Sequence, residues 1–355
     1  MKAVIIAGGL GTRLRPLTYN IPKSIVPVIN RPFVLHQLEL LKNHGITEII
    51  LNLHYLSEDI KNIFDEGKKF GVKVYYSIEE KPLGTAGAVK NAEEFFSEEP
   101  MLVFNGDILT DVNLKEIIDF HYKKKAKVTL TLTRVEDPTT YGLIVTDEGG
   151  RVKRFIEKPS WEQVTVNTIN AGIYVLDPAI FKNVPKGVEY SFERQLYPSL
   201  LEKGEPIYGF VSSAYWIDIG SPQKYMQAHR AVLQGEVKIN IPGVKNEAGI
   251  WSGKNVYVSP SAKLRGPSLL GDNCQIGDNV RVQELVVLGD NVSIDEGSTL
   301  DHSIIWRGTS IGKDVNLSNC IVGFNCRIED NVSLSGIVLA DNSVVKKGSK
   351  IGVKL

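Results

Sequence analysis

The sequence predicts an α/β domain with a mostly parallel, Rossmann-like sheet, followed by an all-β domain that forms a parallel β-helix. Up to residue 235, short apolar strands alternate with helical segments, a pattern typical of parallel strands joined by crossover helices. From Val258 onward, large aliphatic residues recur every six positions, which is the repeat of a β-helix. We therefore predict domains at 1–235 and 258–355, joined by a linker at 236–257.

The first predicted strand, residues 2–7, is a β-branched apolar run that ends in a glycine-rich loop. This loop and its continuation contain Gly8, Gly9, Gly11, Thr12 and Arg13. Glycines let backbone N–H groups approach an anion, and Arg13 with the later Lys23 suits a polyphosphate. Leu14 stands where a dinucleotide fingerprint needs its third glycine, and a P-loop is absent. The alternative is an ordinary turn with solvated arginines.

Alternating helices and strands continue the α/β pattern after Lys23. Residues 32–45 and 58–69 have helical spacing, and residues 48–53 and 72–78 are apolar strands. A further helix, which Thr85 could cap, runs to residue 96 before strands at 100–104 and 128–135. Asp111 could cap a helix from Leu114, and a helix at 222–233 closes the domain. Ligands in such sheets bind at the carboxyl ends of the strands.

The C-terminal repeat is strong and independent of the first domain. Aliphatic residues recur from Val258 to Ile351 with one-residue slips, and glycine turns separate them. Three hexads make one coil, and each coil covers the core of its neighbour. Cys274 and Cys326 fall in inward-facing positions, whereas Cys320 falls outside the register and has no predicted role. Because the solenoid ends expose unpaired edges, we expect a homo-oligomer.

Composition limits the class of protein. The chain has 355 residues with 41 Lys plus Arg and 41 Asp plus Glu, and this zero net charge argues against a nucleic-acid partner. No apolar run reaches the length of a membrane helix, and the N-terminal run is too short for a signal peptide. We therefore expect a cytoplasmic protein without a membrane partner. Its three cysteines suggest neither a zinc site nor a disulfide framework.

The opening motif resembles that of the sugar-nucleotide pyrophosphorylases, which join a nucleoside triphosphate to a sugar 1-phosphate. The matching residues read Gly-Gly-x-Gly-Thr-Arg-Leu-x-Pro-Leu-Thr and then Pro-Lys, although Ser24 replaces the usual second proline. The resemblance covers roughly the first 235 residues, and mannose-1-phosphate guanylyltransferases look closest. It implies that Arg13 and Lys23 are catalytic and that Gly8, Gly9, Gly11 and Thr12 bind the nucleotide. For the second domain it implies a left-handed β-helix.

By the same resemblance, the segment from Glu79 to Thr85 binds the nucleobase. Gly84 and Thr85 belong to its Leu-Gly-Thr-Ala turn, and Glu79 stands where relatives that use thymine or uracil commonly carry glutamine. A carboxylate only accepts hydrogen bonds, and guanine offers two adjacent donors, so Glu79 favours GTP. Otherwise Glu79 is a solvated charge beside Glu80.

The sugar and metal residues also follow from the resemblance. Three ordered motifs imply that the sugar phosphate is bound by Gly142, Glu157, Lys158 and Asn170. Asp107, which follows a buried strand, and Asp218, in a Trp-x-Asp-x-Gly turn, are implied Mg²⁺ ligands. Taken singly, Glu157 and Lys158 would be a solvated ion pair and Asp107 a turn residue.

These residues favour a guanylyltransferase that makes GDP-mannose from GTP and mannose 1-phosphate. The nearest alternative keeps the chemistry but uses glucose 1-phosphate with dTTP, UTP or ATP. A bifunctional acyltransferase would need a histidine in the repeat domain, where His302 is the one available and is expected on an outer face. A non-catalytic regulatory subunit is the remaining alternative, and the intact charged residues oppose it.

Overall fold

The computed structural model describes residues 1–353 and divides into two compact units. The first unit comprises Met1–Leu10 and Val34–Ile217, and the second comprises Gly11–Phe33 with the described residues from Asp218 onward. The segment Gly11–Phe33 thus groups with the C-terminal part of the chain, a grouping that the sequence did not predict. The boundaries at 235 and 258 stay a prediction.

The helices that the structure describes in residues 1–353 are α1 (Phe33–Asn43), α2 (Ser57–Phe64), α3 (Gly84–Asn91), α4 (Leu114–Lys124), α5 (Tyr197–Glu202) and α6 (Pro222–Gln234). Each of these falls short of the length and apolarity that a membrane span requires. The strands before α6 are β1 (Ala3–Ile6), β2 (Pro27–Val28), β3 (Arg31–Pro32), β4 (Glu48–Leu53), β5 (Lys73–Ile78), β6 (Met101–Asn105), β7 (Ile108–Thr110), β8 (Val128–Arg134), β9 (Gly142–Thr146), β10 (Val152–Glu157), β11 (Thr168–Leu176), β12 (Ile207–Val211) and β13 (Trp216–Asp218).

The main sheet of the first unit has two halves with different strand directions. Its order is β10-β9-β11-β6-β1-β4-β5, and β8 and β12 continue from β11. The strands β6, β1, β4 and β5 are mutually parallel because helices cross over between them. On the other side β11 runs antiparallel to β6, β8 and β9. The predicted α/β class is confirmed, with a mixed sheet whose parallel half is the half that the sequence described.

Several helix boundaries differ from their predictions, and one of them is the end of α3, which lies at Asn91 and not at residue 96. The helix α2 ends at Phe64 because Asp65 leaves the helical region and Gly67 takes a φ of +82°. Leu83 occupies the N-cap of α3, so Thr85 is not its cap. Asn113, not Asp111, caps α4 and accepts a hydrogen bond from the amide of Lys115.

The second unit contains the β-helix, in which parallel strands form three faces. The strands after α6 are β14 (Val244–Lys245), β15 (Ile250–Ser252), β16 (Tyr257–Val258), β17 (Lys263–Leu264), β18 (Ser268–Leu270), β19 (Gln275–Ile276), β20 (Arg281–Val282), β21 (Val287–Leu288), β22 (Ser293–Ile294), β23 (Thr299–Asp301), β24 (Ile304–Ile305), β25 (Ser310–Ile311), β26 (Asn316–Ser318), β27 (Ile321–Val322), β28 (Arg327–Ile328), β29 (Ser333–Ser335), β30 (Val338–Leu339), β31 (Val344–Val345) and β32 (Lys350–Gly352). The strand β14 pairs antiparallel with β15. From β15 onward each strand pairs in parallel with the third strand after it, so each face is one column of the solenoid. The hexapeptide prediction is confirmed.

Cys320 belongs to the core of this β-helix, which corrects its predicted exclusion. It is fully buried, and its amide donates to Ser303 Oγ at 3.1 Å. Leu269 pairs with Val287, but Val287 pairs with Ile304, so the coil shortens by one residue at this corner. The six-residue count therefore misplaced Cys320 by one position. Each cysteine is free and buried, and burial raises the pKa of all three thiols.

The segment Gly11–Phe33 packs on this solenoid through polar contacts. Asn30 Nδ2 donates to the carbonyl oxygen of Leu288 at 2.7 Å, and Asn20 Nδ2 donates to Asp341 at 3.3 Å. A third contact joins this segment to α6, because the hydroxyl of Tyr225 donates to the carbonyl oxygen of Pro27. These contacts explain why the segment groups with the second unit.

Candidate active site

The predicted site residues are distributed over both units. The first unit holds Gly8, Gly9, Glu79, Gly84, Thr85, Asp107, Gly142, Glu157, Lys158 and Asn170. The second unit holds Gly11, Thr12, Arg13, Lys23 and Asp218.

Asp107 follows the point where β6 ends against β1. The amide of Gly106 donates to the carbonyl oxygen of Ile6 at 2.9 Å, and a Cβ atom on Gly106 would lie 2.6 Å from that oxygen. Only glycine fits such a close approach of two backbones. Asp107 is thereby fixed, half-buried, at the carboxyl edge of the parallel half, where ligands of such sheets bind.

Glu79 and Gly8 lie close together in the first unit. Glu79 is 6% exposed, and its Oε2 accepts a hydrogen bond from the amide of Leu83 at 2.9 Å. A Cβ atom on Gly8 would lie 3.2 Å from Glu79 Oε1. Burial raises the pKa of Glu79, although the Leu83 amide opposes this shift. The ring of His54 donates to the Glu79 carbonyl oxygen at 2.8 Å and fixes the backbone here.

The Gly84–Thr85 turn is fixed by contacts inside the fold. Gly84 has a φ of +70°, and a Cβ atom there would lie 2.9 Å from the carbonyl oxygen of Tyr190. The Thr85 hydroxyl accepts from the amide of Phe192 at 2.8 Å and donates to Glu193 at 3.1 Å. Thr85 therefore ties the start of α3 to the segment at 190–193.

Glu193 connects this turn to the predicted sugar residue Asn170. Its Oε1 accepts from the hydroxyl of buried Tyr174 at 3.5 Å, and that hydroxyl accepts from Asn170 Nδ2 at 2.9 Å. The sequence analysis gave Glu193 no role. The only available signal was Ser191, whose hydroxyl caps the turn that carries Glu193.

Gly142, Glu157 and Lys158 meet where β9 pairs with β10. Gly142 lies opposite Glu157 in the antiparallel register, and a Cβ atom on Gly142 would lie 3.1 Å from Glu157 Oε2. The pKa of Glu157 is raised, first by loss of hydration and then by the carboxylate of Glu193. Lys158 takes a φ of +48°, a strained conformation for lysine that often marks a functional site.

In the second unit, the glycine loop brings Gly11 and Lys23 together. The hydroxyl of Thr18 donates to the carbonyl oxygen of Gly11 at 2.8 Å, and a Cβ atom on Gly11 would lie 3.1 Å from Lys23 Cβ. Gly11 has a φ of +62° and opens a short 3-10 turn that contains Thr12 and Arg13. The loop thus places the backbone of Gly11 against the side chain of Lys23, just before the turn that contains Arg13.

Arg13 lies beside the turn that carries Asp218. A Cβ atom on Gly220 would lie 2.5 Å from Asp218 Oδ2 and 3.2 Å from Arg13 Nη2, so one glycine separates the two groups. Asp218 is 8% exposed and pairs with the ammonium of Lys224. This pairing shows that the Asp218 carboxylate accepts a cation in its present position.

Comparison with known proteins finds two family matches that follow one another along the chain. The nucleotidyl transferase family model matches residues 2–235, and the model of the EIF2B subunit epsilon LbH domain matches residues 247–351. A UTP–glucose-1-phosphate uridylyltransferase from Synechocystis is 35% identical over 91% of this chain and 87% of that protein. A mannose-1-phosphate guanylyltransferase from Mycobacterium tuberculosis is 36% identical over 85% of this chain and 83% of that protein.

Among solved structures, HddC from Yersinia pseudotuberculosis in complex with GMP-PN is similar to this chain. Its identity is 33% and its TM-score 0.57, over 65% of this chain and 99% of HddC. The family predicted from the opening motif is confirmed. The chain therefore belongs to the nucleotidyl transferase family and is a nucleotidyltransferase that carries a C-terminal left-handed β-helix.

Proposed function

We propose that this enzyme transfers a guanylyl group from GTP to mannose 1-phosphate and releases pyrophosphate and GDP-mannose. The family supports nucleotidyl transfer to a sugar phosphate, and the M. tuberculosis relative carries the same activity in its name. The Synechocystis relative, named for UTP and glucose 1-phosphate, represents the alternative. The nucleobase therefore has to be decided from the residues of this chain.

The carboxylate of Glu79 is the observation that carries the choice of GTP. Its two oxygens accept hydrogen bonds only, and the Leu83 amide occupies Oε2 while Oε1 lies toward Gly8. Guanine presents N1–H and its 2-amino group on one edge, so it supplies the donors that a buried carboxylate requires. Uracil and thymine present a carbonyl oxygen on each side of one N–H, and an acceptor there would be repelled.

The reaction is an in-line displacement at the α-phosphorus of GTP. A phosphate oxygen of mannose 1-phosphate forms the new bond, and the bond to the pyrophosphate oxygen breaks. The nucleophile is already an anion, so no general base is needed, and the barrier comes from alignment and from repulsion between anions. We propose that Arg13 and Lys23 stabilise the triphosphate and the leaving pyrophosphate, and that Lys158 fixes the incoming phosphate.

Mg²⁺ is the proposed cofactor, and Asp107 and Asp218 are its proposed ligands. Carboxylate oxygens suit Mg²⁺, and the Lys224 ammonium already pairs with Asp218, which fits a cation at that carboxylate. When bound, the ion would neutralise phosphate charge and lower the repulsion between the reactants. Gly142, Glu157 and Asn170 are the groups of this chain proposed to bind sugar hydroxyls.

Pyrophosphate release with purified protein and Mg²⁺ tests this function. GTP, dTTP, UTP, ATP and CTP are compared, each with mannose 1-phosphate and with glucose 1-phosphate. We expect kcat/KM to be highest for GTP with mannose 1-phosphate. The variant Glu79→Gln should lower the preference for GTP over UTP by at least tenfold, whereas Glu80→Gln, at an exposed neighbour, should not change it. Preference for UTP or dTTP in the unmodified enzyme would overturn the assignment of GTP.

We propose two further properties, an oligomeric state and a cellular location. The last described coil exposes Val344, Ile351 and Val353, which supports a homo-oligomer and is tested by sedimentation equilibrium. The free buried thiols of Cys274, Cys320 and Cys326 suit a reducing cytoplasm. Fractionation of cells that produce the protein tests that location.

A further inference from the structure

A cleft of about 500 Å³ lies within the second unit, between α6 and one corner of the β-helix. The side of α6 that faces it carries Gln223, Met226, Gln227 and Arg230, which recur every three or four residues. The corner contributes Leu285, His302, Asn319 and Gly336. None of the residues assigned to the candidate active site lines this cleft. Its volume lies in the range of small-molecule sites.

The corner itself carries an unusual choice of residues. Leu285 and His302 take φ values of +57° and +44°, whereas the other non-glycine residues at positive φ in the described β-helix are asparagine or aspartate. Asn319 and Gly336 occupy the same corner in the next two coils and also have positive φ values. This corner therefore accepts asparagine and glycine, which are the usual residues at positive φ. Leucine is strained there, and such strain is often kept for function. Leu285 and His302 both line the cleft.

The polar groups of the cleft suit an anion. Arg230 is exposed on α6 and presents the forked guanidinium that binds phosphate. The ring of His302 is held in place by Asp301, whose Oδ1 lies 2.8 Å from Nδ1. The residues that line the cleft include no carboxylate among those that the structure describes. The amides of Gln223, Gln227 and Asn319 add donors and acceptors at the same wall.

The apolar groups of the cleft narrow the class of anion. Met226, Leu285 and Ile304 supply aliphatic surface beside the polar wall. A sugar phosphate has no apolar face of comparable size, whereas a nucleotide combines a flat base with phosphate. We propose that this cleft is a second nucleotide-binding site, in which the aliphatic side chains contact the base and Arg230 and His302 contact the phosphate.

Equilibrium dialysis of the full chain with GTP, without sugar phosphate, tests the proposal. We expect two GTP molecules to bind per chain. Arg230→Gln and His302→Asn should each weaken one of the two sites at least tenfold while leaving kcat and the KM for GTP in turnover unchanged. Arg281→Gln, which removes an exposed arginine of the β-helix outside the cleft, is the matched control and should keep both sites.

The variant His302→Asn separates a binding role from a structural one. Because asparagine is less strained at positive φ, this variant should raise the midpoint of thermal unfolding while it weakens binding. GTP binding that neither variant weakens would overturn the proposal. Displacement by mannose 1-phosphate, at equal concentration, of the GTP whose binding the variants weaken would also overturn it, since that result indicates a sugar-phosphate site. If turnover shows that the enzyme does not use GTP, only the cleft should bind GTP, and Arg230→Gln should still weaken that single site, so the two failures remain distinguishable.

Discussion

Replacing Tyr225 by phenylalanine removes one hydroxyl from a fully buried contact of the second unit. That hydroxyl donates to the carbonyl oxygen of Pro27 and accepts from Trp306 Nε1 at 3.0 Å. Tyr225 is 0% exposed and Trp306 is 2% exposed, so water cannot replace the lost partner of the indole N–H, whereas Pro27 is half-buried. The phenylalanine ring keeps the packing, and the variant therefore isolates the two hydrogen bonds.

The expected cost follows from the groups that lose their partner. A buried donor or acceptor left without a hydrogen bond costs ~1–3 kcal/mol, and here both an indole N–H and a carbonyl oxygen are affected. We expect Tyr225→Phe to lower the free energy of unfolding by about 2–4 kcal/mol, measured by urea titration with tryptophan fluorescence. Tyr257→Phe, at a tyrosine that is 55% exposed in the same unit, should change it by less than about 0.5 kcal/mol.

A double variant decides whether the hydroxyl acts through Trp306. Adding Trp306→Phe to Tyr225→Phe removes the unpaired N–H, so the second change should cost less in the variant than in the unmodified protein, by about 1 kcal/mol. Strict additivity of the two changes, or a loss below about 0.5 kcal/mol in Tyr225→Phe alone, would refute the reasoning.

Three further predictions concern a buried histidine, two glycines and a lysine. Burial lowers the pKa of His121 to about 4, below the 6.5 of a free histidine, so only the unfolded chain gains a proton between those values. The free energy of unfolding should therefore fall on the order of 2 kcal/mol from pH 7 to 4, and His121→Leu should flatten this slope in urea titrations at each pH. Gly106→Ala should destabilise the fold by about 1–3 kcal/mol because its Cβ would lie 2.6 Å from a carbonyl oxygen. Gly9→Ala should leave stability within about 0.5 kcal/mol, because no atom lies within 4 Å of its added Cβ. Lys224→Gln should tighten Mn²⁺ binding several-fold in an electron paramagnetic resonance titration, since it removes the ammonium that pairs with Asp218.

Each of these predictions has an outcome that contradicts it. An unchanged pH slope in His121→Leu would show that other groups set the acid sensitivity. Equal stability of the two glycine variants would contradict the close approach at Gly106. Unchanged Mn²⁺ affinity in Lys224→Gln would show that the lysine does not compete for the Asp218 carboxylate.

Local sequence patterns predicted the elements that depend only on residues close together in the chain. The hexads of the β-helix follow from side chains that alternate within two-residue strands, so their period is visible without any tertiary information. The glycine before Asp107 and the Trp-x-Asp-x-Gly turn are likewise local. The direction of β11 could not be predicted from local sequence, because its antiparallel pairing with β6 depends on a partner about 70 residues away in the chain.

Long-range contacts account for the features that sequence reasoning missed. Glu193 accepts a hydrogen bond from Thr85, which lies 108 residues earlier in the chain. No regular spacing in the sequence indicates a contact at that separation. The same holds for Asn30, whose amide reaches the carbonyl oxygen of Leu288. The position of Cys320 in the hexad register was predicted wrongly for a different reason. A coil that is one residue shorter at a corner shifts the register of every later hexad.

The glycines show how the structure separates roles that the sequence treats alike. Sequence reasoning gave Gly8, Gly9 and Gly84 one role, nucleotide binding. Gly84 is required by its positive φ and the carbonyl oxygen of Tyr190, and Gly8 has little room beside Glu79. At Gly9, by contrast, a Cβ atom would meet no atom within 4 Å. A loss of GTP binding in Gly9→Ala without a loss of stability would therefore report on the ligand alone, whereas the same loss in Gly84→Ala would also report on the fold.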